Sequence, residues 1–225
     1  MQNGHIMNGH SEGQEKGQLS SAHLVSLVRG IRFDEWANDY DSEMHRFGYK
    51  APEKLVNFIV AELGESADKN MRILDIGGGT GMLQMYFLRL ELSILWRKEL
   101  LRKATSEMLD VAQCENVYKR TFVDVLAENR DSGVLPREAY ELVVGVGLFN
   151  ANLLNHRHLR HFLWAAKPGG RIMFGVWNTA LLGMKEFQVG LDEYEREGKW
   201  MAVAVAQLPD YYCGTHGTYY HFVKL

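Results

Sequence analysis

The stretch RILDIGGGTGM holds Asp75 and three alternating glycines, Gly77, Gly79 and Gly81, in the pattern DxGxGxG. An apolar run precedes it and a helix-like run follows. Each glycine gives up conformational entropy on folding, so a cluster in mid-chain needs a reason. A tight strand-to-helix turn accounts for one or two of them. The rest imply that something lies against bare backbone, whose N–H groups suit a polar ligand. The carboxylate narrows the choice. An anion at the strand end repels a pyrophosphate and suits a ligand that carries an ammonium group. The pattern thus departs from a nicotinamide fingerprint, and no Gly-Lys-Ser/Thr follows to make a P-loop.

Those residues need a scaffold, and the chain predicts one. Pro52 opens a helix over PEKLVNFIVAEL, with Leu55, Ile59 and Leu63 on one face and Gly64 as its stop. MRILDI is short, apolar and bounded by glycine, as a buried strand should be. GMLQMYFLRLEL reads as helix, residues 92–103 are ambiguous, and SEMLDVA resumes a helix with Ser106 as N-cap. YKRTFVDVL is a strand ending at Asp124, and YELVVGVGLFN a strand running into a turn. LLNHRHLRHFLWAAK has helical spacing up to Pro168-Gly169-Gly170, RIMFGVW is a strand, and KEFQVGLDEYEREGK is a polar helix. WMAVAVAQL and TYYHFVKL close the chain as strands around a turn at 210–217. Strands alternating with helices predict an α/β fold. It is a three-layer αβα sandwich with a Rossmann-like, mostly parallel sheet and an antiparallel C-terminal strand.

Composition excludes other classes. A formal charge of −3 over 225 residues, without a lysine or arginine run, gives no electrostatic case for nucleic acid. Only Cys114 and Cys213 occur, with no CxxC, so neither a disulfide frame nor a cysteine zinc site is expected. Residues 1–21 are polar and glycine-rich, which predicts a disordered tail, and 22–225 reads as one domain with an N-terminal helical lid. No apolar run approaches the ~18 residues of a membrane helix, so the expectation is a cytoplasmic protein with nuclear access. Oligomeric state is not legible.

The glycine pattern and two later stretches resemble a known family. ILDIGGGTG is similar to motif I of the class I S-adenosylmethionine (SAM) dependent methyltransferases. AKPGGRIMF resembles that family's Pro-Gly-Gly turn and fifth strand, and YELVVGVGLF its fourth strand. YDSEMHRFGYKAP, EMLDVA and GTYYHFVKL add to the likeness, which covers about residues 35–225. The resemblance implies S-adenosyl-L-methionine as cofactor and assigns a role to each matching position. Asp75 would hold the methionine ammonium, indirectly or through water, and Gly77, Gly79 and Gly81 would line the amino-acid part. Asp124 would accept from the adenine amino group, with Val125 against the ring. Gly145 to Leu148 would flank the methionine moiety, and Tyr40 would reach the cofactor carboxylate. From the residues alone, Asp124 also reads as a helix N-cap and Tyr40 as a packed aromatic.

One segment departs from the family pattern. An acid gripping both ribose hydroxyls is expected at the end of the second strand, roughly 20 residues beyond the glycine loop. Counted forward from Asp75 it falls near Glu99; counted back from EMLDVA it falls on Lys103, the wrong charge. Glu99 serves in a shifted register with LSILW as the strand, or the clamp is lost, or the segment is altered by splicing or gene structure. The reading at this point is a weakened or lost clamp.

Methyl transfer from a sulfonium is an in-line displacement that needs alignment more than acid or base, unless the nucleophile carries a proton. His156 and Tyr49 are candidate bases, and Trp177 a face for a flat acceptor. His156, His158 and His161 have no carboxylate or cysteine beside them, so an exposed helix face is expected instead of a metal site. The catalytic residue stays unassigned. Three functions compete: a SAM-dependent methyltransferase acting on a small molecule or an unidentified acceptor, a non-catalytic binding protein with a degenerate methyltransferase fold, and a nicotinamide-dependent oxidoreductase.

Overall fold

Neighbouring residues along the strands in the middle of the sheet point into opposite cores, and this alternation builds the protein. In a computed structural model, residues 38–64, 71–89, 95–100, 118, 120–124, 126–151 and 153–225 are described. Two helices come first, α1 (Tyr40–Arg46) and α2 (Ala51–Leu63), then β1 (Arg72–Ile76), α3 (Met82–Arg89), β2 (Leu95–Leu100) and β3 (Thr121–Val123). β4 (Tyr140–Val146) leads through a 3-10 turn at His156–His158 into α4 (Leu159–Ala165) and β5 (Ala166–Trp177). α5 (Asn178–Leu182), α6 (Phe187–Arg196), β6 (Trp200–Tyr212) and β7 (Thr215–Lys224) complete the order.

The seven described strands form one sheet in the order β3–β2–β1–β4–β5–β7–β6. The first five pair in parallel, and β7 runs antiparallel to both β5 and β6. Strand order reverses between β1 and β4, which puts the ends of these two strands at the crevice where open α/β sheets take ligands. Ile73, Leu142, Val144, Met173 and Tyr219 pack toward α2 and α3. Leu74, Val143, Phe174 and Tyr220 face the other way, toward Phe162 of α4 and Phe187 of α6. Period-two alternation with helices on both faces is the three-layer arrangement the sequence predicts.

Several local expectations change. The helix read onward from Met82 is described only to Arg89, and a strand follows at Leu95–Leu100, later than LSILW. The Pro-Gly-Gly stretch follows a helix that already ends at Ala165 and lies inside β5. Gly170 is required there, because a Cβ would stand 2.8 Å from the Lys167 carbonyl and 3.0 Å from that of Tyr140. The closing turn is tighter than 210–217, since β6 runs to Tyr212 and β7 begins at Thr215. The 1–21 tail, the SEMLDVA helix with Ser106, Lys103 and Val125 lie outside the described residues. Among the described residues, no helix is long and apolar enough to cross a membrane.

Candidate active site

β1 delivers Asp75 to the crevice from inside the sheet, where its carboxylate is only 1 % exposed. The chain then turns at once. Gly77, Gly79 and Gly81 take φ values of +72°, +52° and +99°, a region that other residues enter only at a cost. Gly78 has a different constraint. A Cβ there would stand 2.5 Å from Asp75 Oδ2 and 2.9 Å from Tyr118 Oη, so its backbone rests directly on the carboxylate. The Gly81 N–H closes the turn on Gly78 O at 2.8 Å, and α3 starts from it. The glycines are therefore of two kinds, three for their torsion and one for closeness to an acid.

Two side chains fasten this loop. Tyr118 donates to Asp75 Oδ2 at 2.9 Å. Burial first, then the charge of Asp75, pushes the Tyr118 phenol well above its ordinary range. Thr80, itself buried, donates its hydroxyl to Asp41 of α1. Neither contact is legible in the sequence, because each joins segments about forty residues apart.

Of the ambiguous 92–103 segment, residues 95–100 are described, and their backbone is strand β2. β2 pairs Ile76 of β1 with Glu99, and Glu99 in turn with Phe122 of β3. Glu99 thus stands one residue from the end of β2, beside the last residue of β1. The alteration has not removed the second strand, and the register removes the main support for a degenerate fold.

Asp124 follows β3 and receives the Ser132 hydroxyl on Oδ2. Ser132 also accepts the Leu135 N–H at 2.9 Å, which fixes the loop against the acid. Residues 126–139 form no helix, so the N-cap reading of Asp124 is wrong. Gly145 lies inside β4, and a Cβ would meet Leu148, Phe162 and the Ile76 carbonyl at 2.8–3.2 Å, which is a packing requirement. At the strand end, Gly147 has φ +73° and a Cβ would stand 2.6 Å from the Tyr49 hydroxyl.

An aromatic cluster covers the ends of β4 and β5. Tyr212 meets Tyr49, Trp177 and Phe47 edge-on at 5.8, 5.6 and 6.4 Å between ring centroids. Trp177 Nε1 is tied to the Thr215 hydroxyl at 2.6 Å. Tyr40 opens α1 and is half-buried; burial, then Asp41 and Tyr212, raises its phenol above the ordinary range. Burial likewise raises Tyr49 and Tyr211, and pushes Tyr212 up to about 12. All four phenols are thus raised above their ordinary range, which favours the protonated form at neutral pH.

The histidines do not gather. His156 packs on α6, where a Cβ on Gly190 would stand 2.2 Å from its ring. Phe187 and Leu191 of that helix belong to one core, while Tyr49 belongs to the other. His158 closes a capping box with Asn155. His161 is buried with Nε2 at 2.8 Å from Ala127 O, and burial lowers its pKa. The exposed-face reading fails for His158 and His161. Among the described residues, no group of three or more His, Cys, Asp or Glu is placed to hold a metal.

The mostly parallel sheet, with a glycine loop after β1 and β7 inserted antiparallel before β6, is a fold that this chain shares with solved SAM-dependent methyltransferases. No protein-family profile matches. The chain is similar to Methyltransferase-like protein 27 of Homo sapiens, 25 % identical over 196 residues that cover 85 % of this chain and 77 % of that one. Magnesium protoporphyrin IX methyltransferase from Synechocystis with bound SAM has a TM-score of 0.60 at 12 % identity, covering 91 % of this chain and 96 % of its own. The 1,6-didemethyltoxoflavin-N1-methyltransferase of Burkholderia thailandensis, solved with S-adenosylhomocysteine, gives 0.59 at 16 %, covering 96 % and 98 %.

Proposed function

We propose that this chain transfers a methyl group from S-adenosyl-L-methionine to a small-molecule acceptor. The observation that carries the reading is the Gly77–Gly81 loop lying on the buried Asp75 carboxylate. A bare cradle over a fixed negative charge fits the ammonium-bearing end of that cofactor and disfavours a pyrophosphate. In this reading Asp75 acts across the glycine backbone, and Gly77, Gly79 and Gly81 line the amino-acid part. Glu99 grips the ribose, Asp124 and Val125 meet the adenine, and Tyr40 and the 145–148 turn flank the methionine end. The cofactor supplies an electrophilic methyl on a sulfonium. The chain's share is to orient and to exclude water.

The acceptor side is aromatic and carries protonated tyrosines, so an acceptor there brings its own lone pair. Two structural relatives act on toxoflavin-type and porphyrin compounds, and the low net charge here fits a small molecule better than a nucleic acid.

Titration calorimetry with SAM, S-adenosylhomocysteine and NAD tests the cofactor. Micromolar binding of the homocysteine product is expected. Failure of both SAM and its product to bind, or tight binding of NAD alone, overturns the reading. Mass spectrometry of small-molecule mixtures incubated with SAM then identifies the acceptor by the added methyl.

A further inference from the structure

Tyr118 opens the YKRTFVDVL stretch just before β3 and no motif in the sequence gives it a role, yet its phenol ends beneath the glycine loop. The hydroxyl donates to Asp75 Oδ2 at 2.9 Å. Tyr118's ring packs with the α2–α3 core. The site leaves little slack, since a single added carbon on Gly78 would overlap both the carboxylate oxygen and the phenol oxygen. A buried carboxylate stays charged only where donors satisfy it, and here a neutral, protonated phenol is one of them. Rotation of the carboxylate away from Tyr118 would press on the loop backbone.

We propose that Tyr118 is a positioning residue for the amino-acid end of the cofactor: it holds Asp75 charged and fixed beneath Gly78, so that the loop presents its backbone to an ammonium group. This rests on the SAM reading above. In this proposal Tyr118 acts on the cofactor through Asp75 and not by touching a reacting atom. Its effect therefore falls on ligands with an amino-acid end and spares those without one. A role in packing alone would weaken both kinds alike.

The test uses two probes that share adenosine and sulfur, S-adenosylhomocysteine and 5′-methylthioadenosine, of which only the first carries the amino acid. Calorimetry is run on the full chain and on Tyr118→Phe, Asp75→Asn and the double variant. Tyr118→Phe is expected to lose roughly tenfold in affinity for S-adenosylhomocysteine, the loss of a charged hydrogen bond, with 5′-methylthioadenosine unchanged. Asp75→Asn should show the same selectivity even if Tyr118→Phe folds poorly, and the second substitution should add nothing to it. Equal losses for both probes, or none for either, overturn the proposal while the SAM reading stands. A native chain that binds neither probe overturns both.

Discussion

Tyr211 ties two strand ends together: its hydroxyl accepts the Gly147 N–H after β4 at 3.0 Å and donates to Gly175 O of β5 at 3.2 Å. The ring lies so close over Gly217 that a Cβ there would stand 2.0 Å from it. Tyr211→Phe keeps the ring and removes these two bonds along with the hydroxyl's bond to Tyr49, which should cost about 1–2 kcal/mol. The urea midpoint should fall with an unchanged slope. A midpoint within error of the parent would show that the tie carries no stability.

The glycine loop separates torsion from contact. Gly79→Ala meets only Gly77 O at 4.0 Å, so its cost is the positive φ alone, about 1–2 kcal/mol of stability. Gly78→Ala drives a carbon against Asp75 and Tyr118, so the loop must shift and affinity for S-adenosylhomocysteine should fall more than in Gly79→Ala. Denaturation and calorimetry run side by side on the two variants give the comparison, and equal affinities would contradict it.

In the proposed SAM reading the ribose contact is Glu99, which the β2 register sets beside Ile76. Glu99→Ala is expected to weaken S-adenosylhomocysteine binding tens- to hundreds-fold, about 2–3 kcal/mol, and Lys103→Asp to leave it unchanged. A gain in affinity from Lys103→Asp would move the clamp to the other position.

Acid should destabilise the fold through buried histidines. His221 has Nδ1 at 2.9 Å from Glu62 and Nε2 at 3.4 Å from Arg171, a pattern that a neutral ring satisfies with Nδ1–H donating. Burial, aided by Arg171 and opposed by Glu62, lowers its pKa, and burial lowers that of His161. Each group takes up a proton more readily in the unfolded chain, whose value is about 6.5. Stability is then full above that pH and declines as the solution becomes more acidic. His221→Gln should lower stability at neutral pH and flatten the decline below it. Chemical denaturation across the acid range measures both.

Elements with a strong local pattern were legible. The length and flanks of RILDI gave β1, and Pro52 with three apolar residues on one face gave α2. β2 was not, because LWRKEL is rich in helix formers and becomes a strand through pairing with β1 on one side and β3 on the other. The site divides the same way. Asp75 and its glycines announce themselves within seven residues, whereas Tyr118 and Tyr211 reach their partners from 43 and 64 positions away. Such contacts leave no periodic trace in a single sequence.

The segment from Asp41 to Lys50 is fastened at both ends. Asp41 holds Thr80 beside β1, while the Phe47 carbonyl receives the Cys213 N–H at 3.3 Å and the Lys50 N–H reaches Tyr211 O at 3.1 Å. Those anchors belong to opposite flanks of the sheet order, so swinging the strap outward severs ties to both together. Opening it therefore means breaking a part-buried side-chain bond and two main-chain bonds in one event.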